Sequence, residues 1–254
     1  MEYNDLQFKI PQESESYSED SRFVVEAIEA IVKNTIDNGN NKIILNTNLK
    51  LGLPMENINK IAGPIIESWA FEIFNDIKDD LNNTYNLVNV ESMSRLNMAD
   101  ILLQFKKNNS SITANVDTKA TAEDIVHSGK GPNITSFSRI RTAYIQDPDF
   151  MFIILSLKHK VYSEKNHLTK LMDGIMEVIK YNVYDLKFLS DNDINYNPAL
   201  GTGQIQIKDI HYVEYTHRTT WEFCQLLDKK YLSSSRRSFD NWYREAVKNE
   251  WIKK

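Results

Sequence analysis

The chain has 254 residues, 41% hydrophobic and 26% charged, the composition of a folded globular protein with a substantial core. Its charge of −5 comes from residues 1–20, with six acids against one base, while residues 217–254 carry nine Lys/Arg against five Asp/Glu; a nucleic-acid partner is therefore not excluded by the sum. A transmembrane helix is excluded by the lack of an apolar run of about 18 residues, a signal peptide by the acidic start, and an intrachain disulfide by the single cysteine, Cys224. A cytoplasmic protein with no membrane partner is expected.

Phe23 to Lys33 has helical spacing and ends near a turn at 37–40. Pro54 suits a helix start, and Ile58 to Ile77 reads as a long amphipathic helix that Gly63-Pro64 should kink or split. Strands are predicted over 99–106 and 111–118, a loop over 120–132, a helix over 133–144, and a buried strand over 150–157. A mixed stretch reaches about 200, followed by a strand near 204–214 and helices at 219–232 and 238–250. This alternation predicts a mixed α/β fold, a mixed central sheet flanked by helices.

The informative segment is Ala99 to Thr121. Two strand-like runs flank Asn108-Asn109, and asparagine tolerates the positive φ that a tight hairpin turn needs. With the turn there, paired residues have numbers summing to 217, so Asp100 lies opposite Asp117. One face then carries Ile101, Leu103 and Phe105 opposite Val116, Ala114 and Ile112, and it is wholly apolar. The other carries Asp100, Leu102, Gln104 and Lys106 opposite Asp117, Asn115, Thr113 and Ser111, with Lys119 joining it. A one-residue slip would scramble this separation.

Two carboxylates and a lysine thus gather at the open end of one hairpin. Close carboxylates repel unless a proton or cation lies between them, and their hard oxygens suit Mg²⁺ with a phosphate as co-ligand. A lysine beside them can hold or help deprotonate an attacking water, which is the minimum for hydrolysing a phosphodiester. The bare acid-x-Lys pattern is weak, recurring at Asp76-Ile77-Lys78, Asp185-Leu186-Lys187 and Asp228-Lys229-Lys230. The competing reading of Asp117 and Lys119 is a surface salt bridge without function.

Asp100 with Asp117-Thr118-Lys119 resembles the PD-(D/E)xK nuclease signature, with Ala99 where proline is common. Further stretches, including 57–64, 131–141 and 197–212, extend the resemblance over nearly the whole chain, to the HpaI-like type II restriction endonucleases of the HincII/EcoRV branch. The resemblance implies a single endonuclease domain over 1–254, whose N-terminal helical part (about 20–80) contributes to a homodimer. It also implies Mg²⁺-dependent cleavage of both strands of a palindromic duplex, GTTAAC cut at its centre to blunt ends, with a cognate methyltransferase in the host. Asp100 and Asp117 become metal ligands and Lys119 the base or charge stabiliser. Glu67 becomes a third carboxylate, either a second-metal or water ligand or an exposed helical glutamate.

For DNA contacts, Asn133 is read as a base-bonding amide or a helix N-cap, and Lys130 as a phosphate contact. Ser136 belongs to the same segment. Arg139 and Arg141 are read as a phosphate contact and a helix-face charge, in no assigned order. The stretch 197–204 resembles a recognition loop. There Gly201 and Gly203 allow close backbone approach, Asn197, Thr202 and Gln204 supply donors and acceptors, and the Ala199 region suits thymine methyls. Lys229-Lys230 and Arg236-Arg237 are either backbone-tracking cations or a solvated helix end. His211 is read as structural. A same-fold repair nuclease and a non-catalytic DNA-binding dimer remain as alternatives.

Overall fold

A computed structural model describes residues 2–253 except Pro54 and Arg95, and of residues 55–57, 59 and 60 the backbone alone. In chain order the elements are α1 (Tyr17–Asp37), β1 (Lys42–Leu45), α2 (Met55–Asp79), β2 (Leu87–Ser92), β3 (Ile101–Lys107) and β4 (Ser110–Ala122). There follow β5 (Asn133–Ser136), α3 (Phe137–Gln146), β6 (Met151–Lys165), β7 (Met172–Asp185), β8 (Ile194–Asn197), β9 (Gln204–Ile207), α4 (Thr220–Leu232) and α5 (Phe239–Lys248). Among the described residues no helix is long and apolar enough to cross a membrane.

The chain divides into two compact units. One comprises residues 22–128 and 153–184 and is built on a mixed six-stranded sheet of order β1-β7-β6-β4-β3-β2. The β3–β4 register is the expected one, from Ile101 opposite Val116 to Lys107 opposite Ser110, and Asn108 turns the chain with φ of 54°. Ile101, Leu103, Phe105, Ile112, Ala114 and Val116 are all buried. Each large apolar side chain there contributes about 1.5–3 kcal/mol by burial, so a slip that put Gln104, Thr113 and Asn115 inside would forfeit most of it. Phe23 of α1 meets Phe105 edge-on at 6.0 Å.

Helix α2 covers β2 and β4 in the same unit. Its buried residues Ala62, Ile66, Ala70 and Phe74 recur every four positions on both sides of Pro64. The helix runs unbroken through that proline, so of the expected kink or split the split does not occur; one continuous apolar stripe outweighs one lost backbone bond. Pro54 lies outside the described residues.

The second unit comprises residues 1–21, 129–152 and 185–254 and holds a three-stranded sheet of order β5-β9-β8, with α3, α4 and α5. Its core is aromatic: Phe137, Tyr144, Phe223, Tyr231, Trp242 and Trp251 are all buried. Here the sequence expectation needs correcting. Residues 133–136 form strand β5 paired with β9, and the helix begins only at Phe137 with Ser136 as its N-cap residue. Asn133 is therefore not a helix cap. Likewise β4 extends through Ala122, into the segment expected to be a loop, and β9 ends at Ile207, short of the expected 214.

Candidate active site

Asp100 immediately precedes β3, and its backbone N–H donates to the carbonyl of Val116, the residue already opposite Ile101, at 3.0 Å; the regular ladder therefore ends at Ile101, and the expected direct opposition of Asp100 and Asp117 gives way to an irregular step. Its Oδ2 accepts from the Thr118 backbone N–H at 2.7 Å. That bond fixes one carboxylate against the strand bearing the other. Asp117 is buried, only 3% exposed, and its Oδ2 lies 2.6 Å from Lys119 Nζ. Apart from this ion pair the buried oxygen has no hydrogen-bonding partner among the described residues.

Electrostatics single out the same cluster. Burial pushes the Asp117 carboxyl up from its ordinary 3.8 to about 7, against the pull of Lys119 and with a further push from Asp100 and Glu67. Glu67, half-buried on α2, is also raised, by burial first and then by the charge of Asp100. Asp100, Asp117, Lys119 and Glu67 therefore share one electrostatic neighbourhood, all within the six-stranded unit. Among the described residues no three His, Cys, Asp or Glu side chains stand close enough to hold an ion by themselves. A cation held here would rest on two carboxylates and complete its shell with water and substrate oxygens, a pattern that suits Mg²⁺. The orphaned Asp117 oxygen fits such a guest.

Most of the candidate DNA contacts gather in the three-stranded unit. Asn197 and Gln204 pair across β8–β9, Ser136 opposes Gln204, and Asn133 opposes Gln206. Asn197 Nδ2 reaches Asn133 Oδ1 at 3.4 Å, and Thr202 Oγ1 lies 3.1 Å from Ser136 Oγ. Asn133, Ala199 and Gly201 are exposed, while Ser136, Asn197, Thr202 and Gln204 are half-buried. Pleating puts Asn195 and Gln206 on the same face as Asn197 and Gln204, an amide-rich surface the sequence reading had not assembled. Gln206 holds the Gly131 carbonyl at 2.8 Å. Alternation of Asn and Gln in 195–206 was the available signal.

Two of the candidates are placed otherwise. Arg141 is fully buried and bonds Asp228, so it is neither a phosphate contact nor a helix-face charge. Gly203 is buried, its N–H bonded to the Leu200 carbonyl and its carbonyl to the Phe137 N–H. A Cβ at that position, where φ is +90°, would overlap the Tyr196 ring. Glycine there serves internal packing and not approach to a base. Lys130 is exposed with its ammonium on Asp209, and Arg139 is exposed on α3.

Comparison with known proteins adds to this geometry. A family described as type II restriction endonuclease HpaI matches residues 4–250. The type II restriction enzyme HpaI of Haemophilus parainfluenzae is 61% identical over 253 residues, covering the whole of both chains.

Proposed function

The chain belongs to the HpaI family of type II restriction endonucleases and is a site-specific deoxyribonuclease; from that premise we propose that it cuts GTTAAC at its centre, in both strands, to blunt ends with 5′-phosphates. The observation that carries the chemistry is the gathering of Asp100, held by the Thr118 N–H, and buried Asp117 beside Lys119 at the open end of the β3–β4 hairpin. Enzymes of this type generally use a divalent metal. When bound at the two carboxylates, Mg²⁺ would supply Lewis-acid polarisation of the scissile phosphate.

The chain's own groups do the rest. Thr118 N–H keeps Asp100 oriented toward the site. Lys119, partly exposed beside the buried Asp117, orients the attacking water, takes up or relays its proton, and offsets charge building on the phosphate oxygens. Glu67 stands by as a third carboxylate that positions water. Asn133, Ser136, Asn197, Ala199, Gly201, Thr202 and Gln204 face the bases, while Lys130 and Arg139 meet the phosphates. A palindrome presents each half-site to the same surface, so the working unit is a two-fold homodimer, with the helical part at about 20–80 contributing to its interface.

Sequencing the ends of a plasmid digest tests the specificity: blunt ends between T and A of GTTAAC are expected, with cleavage abolished by a chelator. Staggered ends, another site, or cutting that survives chelation would remove the proposal.

Acidity should matter in a defined direction. The site needs Asp117 ionised, and its carboxyl titrates near 7 without metal. Cleavage is expected to fall as pH drops through about 7. Because Mg²⁺ competes with the proton, the midpoint should move to lower pH at higher Mg²⁺. Rate profiles at a low and a high Mg²⁺ concentration check this; coincident midpoints would contradict it.

A further inference from the structure

Between α4 and α5, Arg237 reaches into the inside of the 197–204 turn. Its Nη2 donates to the Pro198 carbonyl at 2.9 Å and to the Gly201 carbonyl at 2.7 Å. The guanidinium lies 5.4 Å from the Tyr231 ring centre and 5.9 Å from that of Tyr196. Tyr196 in turn donates its hydroxyl to the Thr202 carbonyl at 2.7 Å. Three carbonyls of one tight turn are thus gripped from within. Asn197 Oδ1 accepts from Ala199 N–H at 3.0 Å, and Gly203 N–H donates to the Leu200 carbonyl at 2.7 Å, so the turn is closed on its inner side. Ala199, Leu200 and Gly201 remain exposed on the outer side.

The geometry points to Arg237 as a positioning residue that fixes the shape in which this turn meets base edges, a role that rests on the turn being a base-reading element. Both bonds leave the one Nη2, at the tip of a guanidinium that lies against the tyrosine rings; a lysine ammonium ends one bond earlier, where Cζ lies, and falls short of the two carbonyls. Rigid presentation sharpens discrimination, because a turn already in its bound shape loses less entropy on the right sequence and adapts less to the wrong one. This differs from phosphate tracking by a cation near the C-terminus. A phosphate contact adds affinity on every sequence and steepens the salt dependence of binding.

The test compares wild type with Arg237→Ala and Arg237→Lys on the cognate duplex and on duplexes with one base pair changed. The ratio of kcat/KM values, cognate over altered, is expected to fall at least about tenfold in both variants, while the slope of log binding constant against log salt stays unchanged. Thermal unfolding of each variant is measured alongside, and Arg237→Lys carries the test if the alanine variant does not fold. Wild-type discrimination in Arg237→Lys overturns the proposal, as does a uniform loss on all duplexes with a slope reduced by about 1. Asn197→Ala and Gln204→Ala separate the two layers. If they relax discrimination and the Arg237 variants do not, the positioning role fails alone; if none relaxes it, the reading of the turn itself fails.

Discussion

Asp117→Asn is expected to lower strand cleavage in Mg²⁺ by at least about 10³-fold and, in the same protein, to raise the unfolding temperature in the absence of metal. The first effect follows from losing one of the two carboxylates proposed to hold the metal. Metal stabilisation of the transition state amounts to several kcal/mol, and each 1.36 kcal/mol is about a factor of ten in rate. The second follows from burial. Asp117 is 3% exposed and its carboxyl is raised from 3.8 to about 7 in the folded chain. A native state that prefers the neutral form gains stability from it below the unfolded value, and that gain is lost as pH rises through about 7. Above pH 7 the wild type therefore carries an ionised, desolvated carboxylate, and the amide does not.

At about 1.36 kcal/mol per pKa unit the full penalty is on the order of 4 kcal/mol. That figure already includes the pull of Lys119; part of it is offset because the buried amide brings N–H groups that need acceptors, leaving about 1–3 kcal/mol net, or several degrees for a chain of this size. The Lys119 side chain is 23% exposed, so its ammonium can turn to water. Calorimetry above pH 7 without metal, a cleavage assay, and a binding assay on cognate duplex read the three consequences. Specific binding should persist. Normal turnover, or a lower unfolding temperature at that pH, sinks the assignment. Lys119→Ala is expected to reduce cleavage in the same direction, by about 10²–10⁴-fold.

The hairpin that carries the candidate site was legible in the sequence for a simple reason. Alternation has a period of two, so the hairpin around Asn108-Asn109 admits one register that puts Ile101, Leu103, Phe105, Ile112, Ala114 and Val116 on one face, and the structure has that register from Ile101 opposite Val116 to Lys107 opposite Ser110. Helices α4 and α5 were equally plain, each opening on a hydroxyl that caps it: Thr219 accepts from Glu222 N–H and Ser238 from Asn241 N–H. Strand β7 was not legible. Its buried and half-buried positions follow no clean alternation, because it lies between β1 and β6. Strands β1 and β2 run four and six residues, too short for a period to declare itself. In β5 the spacing of Ile134, Phe137, Ile140 and Tyr144 imitates a helix from the start. Only pairing with β9, some seventy residues on, keeps its first four residues extended.

Arg141 shows the same limit at the level of one side chain, since no local pattern announces a charge whose partner is 87 residues away. Its Nε lies 3.2 and 3.3 Å from the two Asp228 oxygens and its Nη2 3.2 Å from one of them. Asp228 also accepts from the Tyr3 hydroxyl at 2.8 Å and from Trp242 Nε1 at 2.9 Å. The guanidinium is 5.2 Å from the Trp251 ring centre and 5.7 Å from that of Trp221. Both charged side chains are fully buried. Removing one member leaves the other ionised in a low-dielectric core. Arg141→Ala is therefore expected to destabilise the protein by about 3–5 kcal/mol, a large share of the 5–15 kcal/mol typical of a folded domain. Replacing both, as Arg141→Leu with Asp228→Leu, should recover much of that loss, since paired removal leaves no orphan charge. Urea unfolding of the three variants measures the difference. DNA binding by any variant that folds should keep the wild-type salt slope, because this cation meets a carboxylate and not a phosphate. An alanine variant with wild-type stability and a shallower slope would return Arg141 to the DNA surface.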